Sequence, residues 1–240
     1  SHAELCYSRR MQCLSDAREL NMLIKKLSDN IDVKLIHDDI DMSLWQILGI
    51  DRETGKSRHR GHGGFWEKTS YQIILDVKRK PGHKLGKNFT SPIIPKDLQN
   101  MIIQPYFIPT KLYLKHPNLH NFFLWFIETY GGKIGRAIYY TTPPKCGVKR
   151  HRDALPDGQE TRPRKQILYG NKDRFHLILS GKYKFTVGQD RSIGGETLVF
   201  SKGELWWFDN KMYHSTFNHS DEDKINLVFD TAGSNWREMI

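Results

Sequence analysis

From Ile134 to Phe229 the hydropathy pattern runs with a period of two, and no other feature of the chain constrains the fold as strongly. Eight short β-rich runs follow one another, IGRAIYY, VKRHR, DRFHLIL, KYKFTV, ETLVF, ELWWFD, HSTFN and KINLVF, divided by Gly, Asp and Asn. Alternation sends successive side chains to opposite faces of a strand, so each run carries an apolar face that needs covering. Eight such strands within roughly a hundred residues bury those faces only if the sheet closes or doubles. An antiparallel sandwich or barrel of jelly-roll type is the expectation.

The first half reads differently. Ala17, Leu20, Leu23, Ile24 and Leu27 recur at helical spacing, which predicts an amphipathic helix over 15–28. Residues 50–69 mix Gly with charge and show no period, as a loop does, and a short strand is expected near Tyr71–Val77 before a second loop over 80–94. Leu119, Phe122, Phe123, Phe126, Ile127 and Tyr130 form a helical stripe of core residues that Gly131 and Gly132 terminate. A length of 240 residues fits one large domain with extensions. Residues 1–133 are therefore read as a helical, loop-rich extension packed on a β core over 134–240, the two forming one structural unit.

Composition narrows the class. With 38% hydrophobic and 12% aromatic residues the chain holds enough apolar surface to fold, which excludes a wholly disordered, collagenous or coiled-coil protein. Its longest apolar run, Phe122–Ile127, is far short of the ~18 residues a membrane span needs, so no membrane partner is expected. Cys6, Cys13 and Cys146 are odd in number and form no CxxC, the usage of a reducing compartment, and the cytoplasm is the expected location. Lys and Arg number 37 against 27 Asp and Glu, for a net charge of +10. The excess is local: residues 51–88 hold ten basic against four acidic residues, and residues 145–174 hold nine against four. Such segments are either solvated loops or receptors for acidic partners. Without an RRM or KH motif, charge alone supports nucleic acid weakly.

His151 and Asp153 lie two apart on an expected strand, so they leave the same face and can hold one ion together. His214 follows the run ending Trp206-Trp207-Phe208-Asp209 and opens another strand, where a jelly roll can bring it opposite the first pair. Two imidazoles and one carboxylate on one side of a metal leave its other positions open, the ligand set of non-haem Fe(II) oxygenases. Taken alone, His151-Arg152-Asp153 reads more readily as a surface salt-bridge cluster.

The surrounding blocks point further. His214–Asp230, HSTFNHSDEDKINLVFD, resembles the closing segment of the aspartyl/asparaginyl β-hydroxylase family, which includes bacterial cis-proline hydroxylases. Gly203–Asp209 resembles its GE-x-W-x-F-D strand, Arg174–Leu177 its R-x-H-L strand, and Arg136–Asp153 its strand-turn-HxD opening. The resemblance covers about residues 134–231 and implies a cupin-like double-stranded β-helix. It further implies that the protein binds Fe(II) and 2-oxoglutarate, consumes O2, releases succinate and CO2, and hydroxylates a C–H bond. By the same resemblance His151, Asp153 and His214 are metal ligands, and Arg174 and His176 lie beside 2-oxoglutarate. Lys224, ten residues after His214, stands where the family usually has arginine, and an ammonium offers a point charge in place of a bidentate fork. Tyr140 falls where a hydroxyl ligand of the co-substrate would come, with Tyr139 as its alternate. His219 and Asp209 belong to the same motifs and also suit turn-stabilising roles.

Residues 154–172 form a long insertion that would overhang the site mouth as a lid. Its Arg162, Arg164 and Lys165, with Arg58 and Arg60 of the earlier loop, either receive an acidic peptide or carboxylated small molecule or are merely solvated. Two functions follow. One is a dioxygenase acting on an amino-acid side chain in a protein, peptide, free amino acid or related metabolite. The other is a non-catalytic jelly-roll module that binds nucleic acid or an acidic protein.

Overall fold

A computed structural model describes residues 22–41, 46–48, 68–76, 96–103, 107–109, 113–153, 155, 172–192 and 194–239. All eight period-two runs are strands: β5 (Gly131–Thr142), β6 (Gly147–His151), β7 (Asp173–Ser180), β8 (Lys182–Gly188), β9 (Glu196–Ser201), β10 (Leu205–Phe208), β11 (Tyr213–Phe217) and β12 (Lys224–Ser234). They divide between two antiparallel sheets, β10-β7-β12-β5 in the larger and β6-β11-β8-β9 in the smaller. Each successive strand pair crosses or returns so that four strands lie in each sheet, which is the double-stranded β-helix of a jelly roll.

The described part of the segment before residue 134 adds strands to this core as well as helices. β1 (Ile24–Ser28) joins the free edge of β10, while β3 (Lys68–Asp76) joins β5 and carries β2 (Gln46–Leu48) and β4 (Phe107–Pro109). The strand expected near Tyr71–Val77 is β3. The helix expected over 15–28 is corrected: Ile24 pairs with Phe208, Lys25 with Trp207 and Lys26 with Trp206. An open edge on β10 offers backbone partners that a short helix would forgo, and that tertiary pairing overrides the local spacing. Residues 15–21 lie outside the described residues, as do the segment 80–94, Arg58, Arg60 and residues 50–67 of the loop expected over 50–69, whose Lys68 and Thr69 instead begin β3. So do Cys6, Cys13 and all but Leu155 and Lys172 of the insertion over 154–172.

Three α-helices, α1 (Lys34–Asp38), α2 (Lys96–Met101) and α3 (Pro117–Tyr130), and two short 3-10 helices, Tyr113–Lys115 and Trp236–Met239, complete the described fold. Pro117 suits the first turn of α3, where its missing N–H costs no bond, and Gly131 ends the helix at a φ of 69°. The apolar stripe of α3 covers the outer face of the larger sheet. Phe126 meets Phe175 and Phe229 at ring distances of 5.0 Å each, and Phe123 meets Phe229 at 5.4 Å. These aromatics are core, as expected. Alternation then decides what each strand gives to each side. Phe175, Leu177, Leu227 and Phe229 face the helix layer, while Ile178, Phe185, Phe200 and Phe208 form a second cluster between the sheets. The polar residues interleaved on that inner face have no solvent to enter, and they line a cavity. No helix among the described residues is long and apolar enough to cross a membrane.

Candidate functional site

The pairing of β6 with β11 sets His151 directly opposite His214. Gly147 permits that approach, since a Cβ there would collide with the Thr216 carbonyl oxygen. The two imidazole centroids stand 4.4 Å apart. Asp153 follows just past the end of β6, where its N–H donates to the Asn210 carbonyl at 3.2 Å. One ligand atom from each of His151, Asp153 and His214 lies within 4.8 Å of the others.

Local hydrogen bonds aim these groups. His151 Nδ1 donates to the Lys149 carbonyl at 2.8 Å, and His214 Nδ1 donates to the Met212 carbonyl at 3.0 Å. With the proton held on Nδ1, both rings turn an Nε2 lone pair inward. Each Nε2 is 3.8 Å from an oxygen of Asp153. Burial, the largest influence on His214, lowers its pKa to about 4 despite the nearby Asp153 carboxylate. The ring is therefore neutral at pH 7, the form that binds metals. Burial works against ionisation of Asp153, but Arg174, His214, His151 and Arg136 together outweigh it and hold the carboxyl well below its usual range.

The three side chains open onto a cavity of ≈ 130 Å³. That is well under the roughly 300–1,000 Å³ of pockets for drug-sized ligands, so it suits a small co-substrate. Lys224, Arg174, His176 and Tyr140 all line it. Tyr140 occupies the cavity face of β5, whereas Tyr139 points to the opposite face and packs on His116 at 5.7 Å. Burial pushes the Tyr140 phenol upward, so it stays protonated. Lys224 is 4% exposed, and its Nζ stands 3.8 Å from the centroid of the Tyr183 ring. The Tyr183 hydroxyl lies 3.0 Å from His176 Nδ1, and burial raises its pKa well above the ordinary value. His219 stands outside the cavity, exposed, with its ring against Phe217. Asp209 closes a turn by accepting the Lys211 N–H at 3.0 Å.

Asp230, Arg136, Asn226 and Thr216 lie inside the motif blocks, but the sequence assigned them no role. Arg174 makes a buried bidentate pair with Asp230, at 2.6 Å from Nε and 3.0 Å from Nη2, and its Nη1 donates to Asp153. Arg136 approaches the same Asp230 at 3.6 Å. Asn226 and Thr216 line the cavity, and Asn226 Oδ1 and Thr216 Oγ1 are buried with no hydrogen-bond partner among the described residues. The available signal was alternation, because 224, 226, 228 and 230 share one face of β12.

The model of the aspartyl/asparaginyl beta-hydroxylase family matches residues 115–233, about half of the chain. This region belongs to that family. Its blocks carry both histidines, Asp153 and the strands that place them. Among curated proteins none matches the chain in sequence. Solved structures similar to it include the Drosophila melanogaster CENP-C cupin domain, at 10% identity and a TM-score of 0.30, covering 40% of this chain and 59% of that one. The Schizosaccharomyces pombe Cnp3 cupin domain has 14% identity and a TM-score of 0.30, over 40% of this chain and 55% of its own. A predicted oxalate decarboxylase from Thermotoga maritima has 16% identity and a TM-score of 0.30, over 48% and 72% respectively. The chain thus spans under two thirds of the length of the first of these neighbours. The hydroxylase family and the strand order, rather than these distant likenesses, carry the functional reading.

Proposed function

We propose that the protein is an Fe(II)/2-oxoglutarate-dependent dioxygenase that hydroxylates an amino-acid side chain, in a protein or peptide or as a free amino acid or related metabolite. The carrying observation is the convergence of two imidazoles and one carboxylate within 4.8 Å at the wall of a cavity that Arg174 and Lys224 also line. This donor set fits a divalent metal: His151, Asp153 and His214 would hold it on one side, with positions left for other ligands. The orphaned polar atoms of Asn226 and Thr216 suit a bound polar molecule beside it. When bound, ferrous iron supplies the electrons for O2 cleavage, coupled to decarboxylation of 2-oxoglutarate, so that substrate, O2 and 2-oxoglutarate become hydroxylated product, succinate and CO2.

The chain's own part is to bind, orient and exclude water. Lys224 pairs with the far carboxylate of 2-oxoglutarate, and the π face of Tyr183 steadies the ammonium while that site is formed. The Tyr183 hydroxyl lies within hydrogen-bond distance of His176 Nδ1; donation from that hydroxyl would leave the proton of the ring on Nε2 as a donor to the co-substrate. Tyr140 offers its hydroxyl from β5, and Arg174 faces the near carboxylate while holding Asp153. The small cavity accommodates the co-substrate, so the primary substrate meets the site at its mouth.

The test is spectroscopic and chemical. Anaerobic addition of Fe(II) and 2-oxoglutarate should produce a visible metal-to-ligand charge-transfer band, absent in His214→Ala. Succinate release, screened against free amino acids and acidic peptides, should then reveal the substrate. A wild-type protein that gives no band and no 2-oxoglutarate turnover would overturn the reading.

A further inference from the structure

We infer that Asp230 is a positioning residue for the metal carboxylate, acting through Arg174 across the gap between the two sheets. The inference rests on the proposed metal site and adds to it a residue that approaches none of its ligands directly. Asp230 lies on β12 opposite Arg174 of β7 in the strand register, and the two are 1% and 4% exposed. Both Asp230 oxygens receive the guanidinium, from Nε at 2.6 Å and from Nη2 at 3.0 Å. A planar guanidinium fixed along one edge has no remaining rotation, so its Nη1 has one direction left, and that direction meets Asp153 Oδ2. The larger sheet thereby holds a carboxylate that the smaller sheet supplies. Asp153 sits past the end of β6, where its backbone N–H donates to the Asn210 carbonyl and the guanidinium holds its side chain.

The arrangement has a directional consequence. Oδ2 stands 3.8 Å from His214 Nε2 but is bonded to Arg174, whereas Oδ1 faces His151 Nε2 at 3.8 Å. The carboxylate is thus held to present one oxygen to a metal, and the guanidinium on its other oxygen opposes bidentate chelation. A one-oxygen carboxylate preserves the open positions that two further ligands require.

Co(II) titration of the metal-free protein provides the test, since it reads affinity by calorimetry and coordination by the visible d–d spectrum without turnover. Asp230→Asn should weaken Co(II) binding about 10–100-fold and change the spectrum. In an Asp153→Ala background the same substitution should change affinity less than about twofold, because the oxygen it positions is gone. Equal losses in both backgrounds, or no loss in the first, would overturn the proposal. Should Asp230→Asn alone fail to fold, the Arg174→Gln/Asp230→Asn pair removes both buried charges together. That variant should show the same loss of affinity, and wild-type binding by it would also refute the proposal. Failure of the metal-site reading is distinct: there the wild-type protein itself would not bind Co(II).

Discussion

Two buried cations stand at opposite ends of one cavity, and the structure treats them in opposite ways. Arg174 is pinned by Asp230 and Asp153, so its charge is built into the architecture. Lys224, six residues from Asp230 along β12 and therefore about 20 Å away along that strand, rests over the face of Tyr183. An ion pair is directional and costly to break, whereas a π face stabilises an ammonium without fixing it. On the proposed function, the guanidinium chiefly holds a carboxylate of the protein, and the ammonium would receive the far carboxylate of the co-substrate.

Breaking the first end should have the largest effect. Arg174→Leu takes the bidentate partner from buried Asp230, leaving it the longer Arg136 contact, and removes the guanidinium from Asp153. It should cost roughly 3–5 kcal/mol, which for a domain of this size lowers Tm by about 10 °C. Thermal unfolding followed by circular dichroism measures it. If Arg174→Leu melts with the wild type, the guanidinium is not the structural cation and the contrast between the two ends fails.

The second end should behave conversely. Lys224→Met keeps the length and apolar stem of the side chain while removing the charge, so stability should stay within about 1 kcal/mol. Affinity for 2-oxoglutarate should fall roughly 100-fold, the loss expected when a buried anion is deprived of its counter-charge. Anaerobic titration of the charge-transfer band in the Fe(II)-loaded protein gives the Kd. Unchanged affinity together with a large loss of stability would reverse the assignment of roles.

A pH experiment examines His214, which faces the carboxylate that Arg174 holds. His214 has a folded pKa of about 4, below its ordinary 6.5, because burial disfavours its charged form. Above pH 6.5 the ring is neutral whether the chain is folded or unfolded, and stability is complete. Between about 6.5 and 4 only the unfolded chain takes up this proton, so the metal-free protein loses stability, by at most about 1.4 kcal/mol per pH unit from this group. Denaturation midpoints in a chelator should decline over that window, and His214→Gln should flatten the decline. The stabilising share of Asp153, whose folded pKa is depressed, is lost only below its own ordinary range. Parallel declines in both proteins would show that other groups carry the pH response.

How much of this was legible in the chain follows the physics of each signal. Alternation from Ile134 onward contains the eight core strands because burial against two layers leaves each residue one permitted side. The same rule resolves Tyr140 from Tyr139 once the face of β5 is known. The spacing of His151 and Asp153 shows that they leave one strand end together, but their approach to His214 depends on β6 pairing with β11, which local sequence does not encode. Ile24–Ser28 misled because Ile24 and Leu27, three apart, fit the helical spacing that Leu20 and Leu23 begin, and the open edge of β10 decided otherwise. Tyr183 lies in the run KYKFTV with no motif of its own, and its ring is core. Its hydroxyl acquires a role only through the crossing of β8 over β7, a tertiary fact with no period.

That hydroxyl allows the finest division between the two ends. Tyr183→Phe deletes the bond to His176 Nδ1 at 3.0 Å while preserving the ring 3.8 Å from Lys224 Nζ. A single buried hydrogen bond contributes about 1 kcal/mol, so stability should fall by roughly that amount. Affinity for 2-oxoglutarate should fall only a few-fold, because the ammonium keeps its π face while His176 loses its tautomeric preference. The charge-transfer titration used for Lys224→Met reads both variants on one scale. A loss in Tyr183→Phe as large as that in Lys224→Met would mean that the hydroxyl and His176, rather than the ammonium, hold the co-substrate. Lys224 would then be a buried charge that the ring tolerates, and the two ends of the cavity would differ in partners but not in purpose.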